Sequence, residues 1–310
     1  MTLEKRFSTS LPIINASEAS NLPRSGSATS RFPGYLRRQL PKNADLKSTK
    51  NTLKSTALPT VCEEAKCPNL PKCFAKKTAT FLTLGAQCTR HCPFCSIDHN
   101  KKPPLPDPDE GAKIVDAAKR LGLRHIVLTM VARDDLKDGG SIELAQIVDT
   151  LHQHLPSATI ELLTSDFQGS VSALERLCQR PIAVFNHNIE TVRALTPKVR
   201  HRATYTRSLE LLTNLKKIDK KGMKIKSGLM VGLGETRLDV EASLRDLKEA
   251  GCDIVTIGQY LRPTRKHLPV KSFVSEKEFE HYREYGQRTG IAHMYCGPFV
   301  RSSYNADLFV

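Results

Sequence analysis

Tryptophan is missing from this chain of 310 residues, and aromatic side chains make up only 6% of it. The stacking platforms on which single-stranded nucleic acids are bound are therefore scarce. No run of 18 apolar residues occurs, so no membrane-spanning helix is expected. A secretory leader is also lacking, and the nine cysteines are an odd number, which argues against a secreted disulfide scaffold. Acidic residues are in deficit: 32 Asp and Glu face 47 Lys and Arg, for a net charge of +15. The imbalance is strong at the start, where residues 1–60 hold ten basic side chains and three acidic ones. A basic face suits an acidic protein partner as well as nucleic acid, so charge alone selects neither. The first stretch, MTLEKRFSTSLPII, has the Ser and basic residues of a transit peptide, but Glu4, Glu18 and the lack of a basic amphipathic helix weigh against one. The expectation is a cytoplasmic protein with no nucleic-acid or membrane partner.

What the chain does have is clustered cysteine. Cys88, Cys92 and Cys95 stand as C-x3-C-x2-C in CTRHCPFC, just after the apolar run of residues 79–84. Three close thiolates on a loop suit a cubane iron–sulfur cluster whose fourth iron has no protein ligand from this stretch. Such an open iron can bind a small molecule. A structural zinc site is the alternative, with His91 or His99 as fourth ligand. A second set, Cys62, Cys67 and Cys73, follows the spacing C-x4-C-x5-C and also lacks a fourth ligand nearby. A lone free cysteine is more often a small buried hydrophobe, which is how Cys178, Cys252 and Cys296 read. Six of nine in two tight groups reverses that expectation for the rest.

Residues 1–60 read as a basic extension punctuated by Pro23, Pro33, Gly34, Pro41 and Pro59, with a short helix possible between Phe32 and Leu40. From residue 79 onward β-rich runs alternate with amphipathic ones. The strands are expected at 79–84, 124–130, 159–163, 182–186, 223–231, 252–257 and 291–295. Between them Ile114, Val115, Ala118 and Leu121 share a helical face, as do Leu211, Leu212, Leu215 and Ile218, and Val240, Leu244 and Leu247. This alternation predicts an α/β fold with a parallel sheet covered by helices, open or closed into a barrel, and the length favours a partial (β/α)6-type parallel barrel with N- and C-terminal extensions over a full eight-fold one. Its functional residues should gather at the carboxyl ends of the strands. Polar groups do follow the strands: Arg133 to Gly140, TSDFQG, FNHNIET, GLGET at 232–236, and GQYLRPTRKHLPV at 258–270. Gly232-Leu233-Gly234 lacks the third glycine of a dinucleotide fingerprint, though its N–H groups can receive a carboxylate. Asn188 and Asp239 have the bland reading of helix-terminus residues, and His187 that of a satisfied core histidine. Lys226 inside an apolar strand needs a partner for its ammonium.

Cys88, Cys92 and Cys95, with Phe94 before the last, resemble the signature of the radical S-adenosylmethionine (SAM) superfamily. The chain ends in CGPFVRSSYNADLFV. Together with both cysteine sets, VCEEAKCPN, RDDLKDGG, VFNHNIET, KSGLMVGLGET and GQYL, this ending resembles the lipoyl synthase family from about residue 32 onward. The resemblance implies domains at 61–78 (auxiliary cluster), 79–296 (barrel) and 297–310 (the Arg301-Ser302-Ser303-Tyr304 motif). It implies two 4Fe-4S clusters and two SAM per product. Ser303 would be the fourth ligand of the cluster held by Cys62, Cys67 and Cys73, and Arg301 a clamp for a carboxylate or for the Ser303 segment. SAM contacts would be Gly139, Gly140, Asn188, Lys226 and Glu235, with Phe94 in the cluster loop. The implied chemistry places two sulfurs, taken from the auxiliary cluster, at carbons 6 and 8 of a protein-bound octanoyl chain. Implied partners are octanoylated lipoyl-carrier domains or H protein, a flavodoxin- or ferredoxin-type electron donor, and a carrier that rebuilds the cluster. A different sulfur-inserting radical SAM enzyme would cleave SAM without acting on octanoyl carriers. A zinc-stabilised nucleic-acid protein would be colourless and salt-sensitive in binding.

Overall fold

The computed structural model describes residues 33–36, 44–219 and 221–309. The chain forms two units, Met1–Arg37 and Arg38–Val310. In the first, the described part is a 3-10 turn at Gly34–Leu36, closed by the Leu36 N–H on the Pro33 carbonyl at 3.0 Å. The rest of the helix expected between Phe32 and Leu40, and the first 30 residues, lie outside the described residues.

The second unit opens with α1 (Ala44–Ser55), α2 (Val61–Glu64) and α3 (Leu70–Ala75), then strand β1 (Thr80–Thr83). A short parallel pair, β2 (Gln87–Cys88) and β3 (Asp98–His99), frames the cysteine loop. After it the chain alternates: α4 (Glu110–Leu121), β4 (His125–Met130), α5 (Ser141–His154), β5 (Thr159–Leu163), α6 (Val171–Cys178), β6 (Val184–Asn186). It continues with α7 (Thr196–Val199), α8 (Tyr205–Ile218), β7 (Lys224–Val231), α9 (Arg237–Glu249), β8 (Ile254–Gln259), α10 (Glu276–Arg288) and β9 (His293–Gly297). One sheet runs β1-β4-β5-β6-β7-β8-β9, every neighbouring pair parallel. Among the described residues six helical crossovers link the seven strands of this sheet, the one between β6 and β7 holding both α7 and α8, and β1 and β9 form the two edges, so this is a partial barrel. All seven strands lie where the β-rich runs predict them.

The local reasons are visible. The Thr236 hydroxyl and Asp239 carboxylate form a reciprocal capping box that starts α9, so Asp239 is a helix-terminus residue. Gly122, at φ 66°, ends α4 in the left-handed conformation. The predicted helix faces are inside: Ile114, Ala118, Leu212, Leu215, Val240, Leu244 and Leu247 are all fully buried. Each such aliphatic side chain contributes roughly 1.5–3 kcal/mol when fully removed from water.

The two sheet faces differ. Phe81, Ile126, Leu128, Ile160, Leu162, Phe185, Ile225, Leu229, Val255 and Ile257 belong to one apolar cluster beneath the helices. Alternate residues point the other way, and there Thr129, Glu161, Asn186, Lys226 and Thr256 are buried polar groups. A barrel interior lined with branched apolar residues is only a core. This one is built to hold something polar.

The extension is shorter than residues 1–60. Helix α1 belongs to the larger unit: Leu53 is 1% exposed within the core cluster and the Thr49 hydroxyl donates to the Phe74 carbonyl at 2.8 Å. A proline- and serine-rich composition hid a helix whose stability comes from packing rather than propensity.

Candidate functional site

The mouth is the edge of the barrel at the strands' carboxyl ends. The loop from Cys88 to Cys95 lies there and is held by several elements. Arg90 donates from Nε to Asp134 Oδ2 at 2.8 Å and from Nη2 to Asp134 Oδ1 and Asp166 Oδ1, both at 2.6 Å. Arg207 reaches the other oxygen of Asp166 at 3.2 Å. With Arg90 beside it, the Asp166 carboxyl is held down to about 2 despite its burial. The Thr89 hydroxyl donates to the Ala132 carbonyl at 2.9 Å. His267 Nε2 lies 3.1 Å from the Cys95 carbonyl, which only accepts, so that nitrogen carries the proton. Leu268 N–H donates to the Pro93 carbonyl. Phe94 packs with Val199, Leu233 and Tyr260. The segment 258–270 thus braces the cysteine loop from the far side of the barrel.

The second set lies on α2, α3 and the turn between them. Cys62 is buried, and Cys67 and Cys73 are half-buried. Burial pushes the thiols of Cys62 and Cys73 up to about 12 and 11, and those of Cys92 and Cys95 to about 11 and 12. Neutral thiols of this kind bind iron only by losing the proton to it. Among the described residues no group of three His, Cys, Asp or Glu is gathered tightly enough for one metal ion. The ligands of a cubane each stand on a separate iron, so three spread thiols at each segment fit that group.

The C-terminal segment joins these regions. A Cβ on Gly258 of β8 would meet the Val300 carbonyl at 2.1 Å and Arg301 Nη1 at 3.0 Å. Arg301 itself donates to the Val300 carbonyl at 2.6 Å. The Ser302 hydroxyl donates to Asn188 Oδ1 at 2.9 Å, just past β6. Beyond this the chain turns through a 3-10 helix, Ala306–Phe309, next to β4. From β9 at one edge, the segment therefore crosses the mouth. It is tied to the set of Cys62, Cys67 and Cys73 by Asn69, whose side-chain amide donates to the Phe299 carbonyl at 2.7 Å. The Lys72 ammonium also lies 5.6 Å from the centre of the Tyr304 ring. Ser303 lies between these ties, and among the described residues its hydroxyl has no hydrogen-bond partner.

Other expected site residues fall as follows. Gly139 and Gly140, at φ 67° and 84°, form the turn that opens α5, and a Cβ on Gly140 would come within 2.4 Å of Leu84. Glu235 accepts from the N–H groups of Gly232 at 2.5 Å and Leu233 at 2.9 Å, so the carboxylate received by that loop is its own. Lys226 is the third residue of β7, beside Asn186 at the carboxyl end of β6, and its ammonium lies 2.9 Å from Glu161 with both side chains fully buried. Burial pushes its pKa down while Glu161 opposes the shift. The partner its ammonium needs is therefore inside the barrel. His187 is a satisfied core histidine: its Nδ1–H faces the Thr164 carbonyl at 3.0 Å and Nε2 accepts at the Ser208 hydroxyl. Burial first, then Arg200, pushes it down to about 3, so it is neutral. Cys178, Cys252 and Cys296 pack on the core.

Sequence reasoning missed Asn69, Arg90, Asp166, Arg200 and Glu161. Arg90 and Asn69 stand within the cysteine motifs, which is a signal in itself. Nothing local says what they meet.

With the geometry in place, the comparisons are specific. The profile of the "Radical SAM superfamily" matches residues 82–247. Streptococcus suis SuiB bound to S-adenosylmethionine superposes with a TM-score of 0.56 at 12% identity, covering 74% of this chain and 54% of that one. Methylornithine synthase (PylB) gives 0.52 at 16%, covering 87% and 88%. At those identities the likeness is one of fold. The fold and the open three-cysteine loop are those of a radical SAM enzyme. The profile "N-terminal domain of lipoyl synthase of Radical_SAM family" matches residues 10–67, reaching further back than the motifs from residue 32. Lipoyl synthase of Chlamydia trachomatis serovar L2 is 55% identical over 281 residues, 91% of this chain and 90% of that one. That of Chlamydia muridarum is 54% identical over 292 residues, 93% and 94% respectively. The chain belongs to the lipoyl synthase family. No helix among the described residues is long and apolar enough to cross a membrane.

Proposed function

We propose that this chain inserts two sulfur atoms, at carbons 6 and 8, into an octanoyl group attached to a lysine of a lipoyl-carrier domain or H protein. Cys88, Cys92 and Cys95 would hold one 4Fe-4S cluster, and Cys62, Cys67, Cys73 and Ser303 a second. When bound, the first cluster supplies reductive SAM cleavage, one SAM for each C–H bond broken, and the second supplies the sulfur. No side-chain base removes an unactivated C–H proton, so the protein's part is to position the reactants and exclude water. Gly139, Gly140 and Asn188 line the mouth where SAM would lie. Glu235 holds the 232–236 loop, Phe94 packs the cluster loop, and Arg301 fixes the segment that carries Ser303. An electron donor of flavodoxin or ferredoxin type, a carrier that rebuilds the spent cluster, and an intracellular setting complete the reading.

The observation that supports it best is the Asn69–Phe299 hydrogen bond. It spans 230 positions in the chain and ties the C-terminal segment to the turn between Cys67 and Cys73. The test is an anaerobic assay with SAM, reductant and an octanoylated carrier. Wild-type protein should form lipoyl product with two 5′-deoxyadenosine per product. Ser303→Ala should still cleave SAM and form no product. Wild-type yield from that variant would overturn the role given to Ser303.

A further inference from the structure

Two adjacent serines stand in the C-terminal motif, and they are not equivalent. Ser302 is committed and Ser303 is not. The Asn188 amide shows why Ser302 must act as a donor. Its Nδ2 faces Glu190 Oε1 at 3.1 Å, and a carboxylate oxygen accepts there, so Oδ1 faces the other way. That oxygen meets the Ser302 hydroxyl at 2.9 Å, which donates its proton. The Asn188 carbonyl accepts from Arg200 Nη1 at 2.7 Å, which holds the backbone of the same residue. The contact rests on Gly228 of β7, where a Cβ would lie 3.1 Å from both Asn188 Oδ1 and Ser302 Oγ and 2.3 Å from the Thr256 hydroxyl. Gly228 has ordinary backbone angles, so its lack of a side chain serves close approach.

We propose that Ser302 is a positioning residue: by donating to Asn188 it fixes the strap across the mouth so that its neighbour Ser303 faces Cys62, Cys67 and Cys73. The inference rests on the auxiliary-cluster reading above. The Asn69–Phe299 tie lies four residues upstream of Ser303 and leaves the direction of Ser303 to the Ser302–Asn188 bond. Arg200 extends the same network into the core, where it also reaches the Ser208 hydroxyl at 3.0 Å.

The test compares wild type with Ser302→Ala, Ser302→Thr and Ser303→Ala, each reconstituted without oxygen. The readouts are iron release to a chelator and the Mössbauer spectrum, which separates an oxygen-ligated iron from sulfur-ligated ones. In Ser302→Ala about half of the iron should leave roughly tenfold faster, the scale of one lost hydrogen bond, and the oxygen-ligated signal should broaden or shrink. The other half should leave at the wild-type rate. Ser302→Thr keeps the hydroxyl and should restore both readouts. Unchanged release and an unchanged spectrum in Ser302→Ala would overturn the proposal. Faster loss of all the iron, or equal effects of Ala and Thr, would also overturn it, since either indicates general loosening. If Ser303→Ala itself leaves the spectrum unchanged, the ligand assignment fails; if Ser303→Ala changes it and Ser302→Ala does not, only the positioning role fails.

Discussion

The two cysteine sets are similar on paper and differ in how the fold supports them. Cys88, Cys92 and Cys95 lie on a loop held by ion pairs, with Arg90 gripping Asp134 and Asp166 and His267 reaching across from beyond β8. Cys62, Cys67 and Cys73 lie on helical turns that pack on the core, and their link to the rest of the mouth is the C-terminal strap. On the proposed reading the first arrangement would hold a cluster with an open iron for SAM. The second would set the C-terminal segment over a cluster, with Ser303 as an oxygen ligand easier to displace than a fourth thiolate. One set would then persist and the other be taken apart.

That contrast can be broken most sharply at the ligands themselves. Cys92→Ala should lower SAM cleavage more than about 10³-fold, because the radical chemistry resides in the cofactor. Cys67→Ala should abolish lipoyl product while 5′-deoxyadenosine still forms, and chromatography of both products distinguishes the two. The buried ion pair inside the barrel should treat both sets alike. Lys226→Met takes the ammonium from buried Glu161 and should cost about 3–5 kcal/mol in denaturant unfolding. Replacing Glu161 by Leu as well should recover most of the loss.

A third prediction concerns the approach to the second set, where the Leu84 N–H donates to Glu110 Oε2 at 2.9 Å. Burial, ahead of all other influences, pushes the Glu110 carboxyl up to about 7. Between about pH 4.5 and 7 the folded protein therefore keeps a proton that the unfolded chain releases. Stability should fall as pH rises through that window, by at most about 3 kcal/mol, and level off above it. Glu110→Gln should flatten the profile; a slope unchanged in the variant would assign the effect elsewhere. The smallest effect is expected at Asn69→Ala, which removes one buried hydrogen bond to the Phe299 carbonyl at a cost of about 1–2 kcal/mol. Iron at Cys62, Cys67 and Cys73 should become more labile, while that at Cys88, Cys92 and Cys95 stays as it was.

Much of this was legible in the chain. The period of two in the strands and the helical faces of α4, α8 and α9 follow from burial of one side of each element, and that is local information. The cysteine spacings are local too. A lysine in a strand announces a buried partner without naming it. Only the β5–β6–β7 register, with Leu163 beside Asn186 beside Lys226, brings the ammonium to Glu161. Ser302 and Ser303 look alike in sequence, and a hydrogen bond to Asn188, 114 positions away, separates them. Helix α1 was hidden for a related reason: Leu53 is held by packing that composition does not record.

The most direct test of two cluster-holding segments is the metal and sulfide content of protein prepared without oxygen. About eight irons and eight sulfides per chain are expected, with brown colour and no zinc. About four irons would remove the auxiliary cluster and with it the proposed source of sulfur. Zinc in place of iron would contradict both assignments.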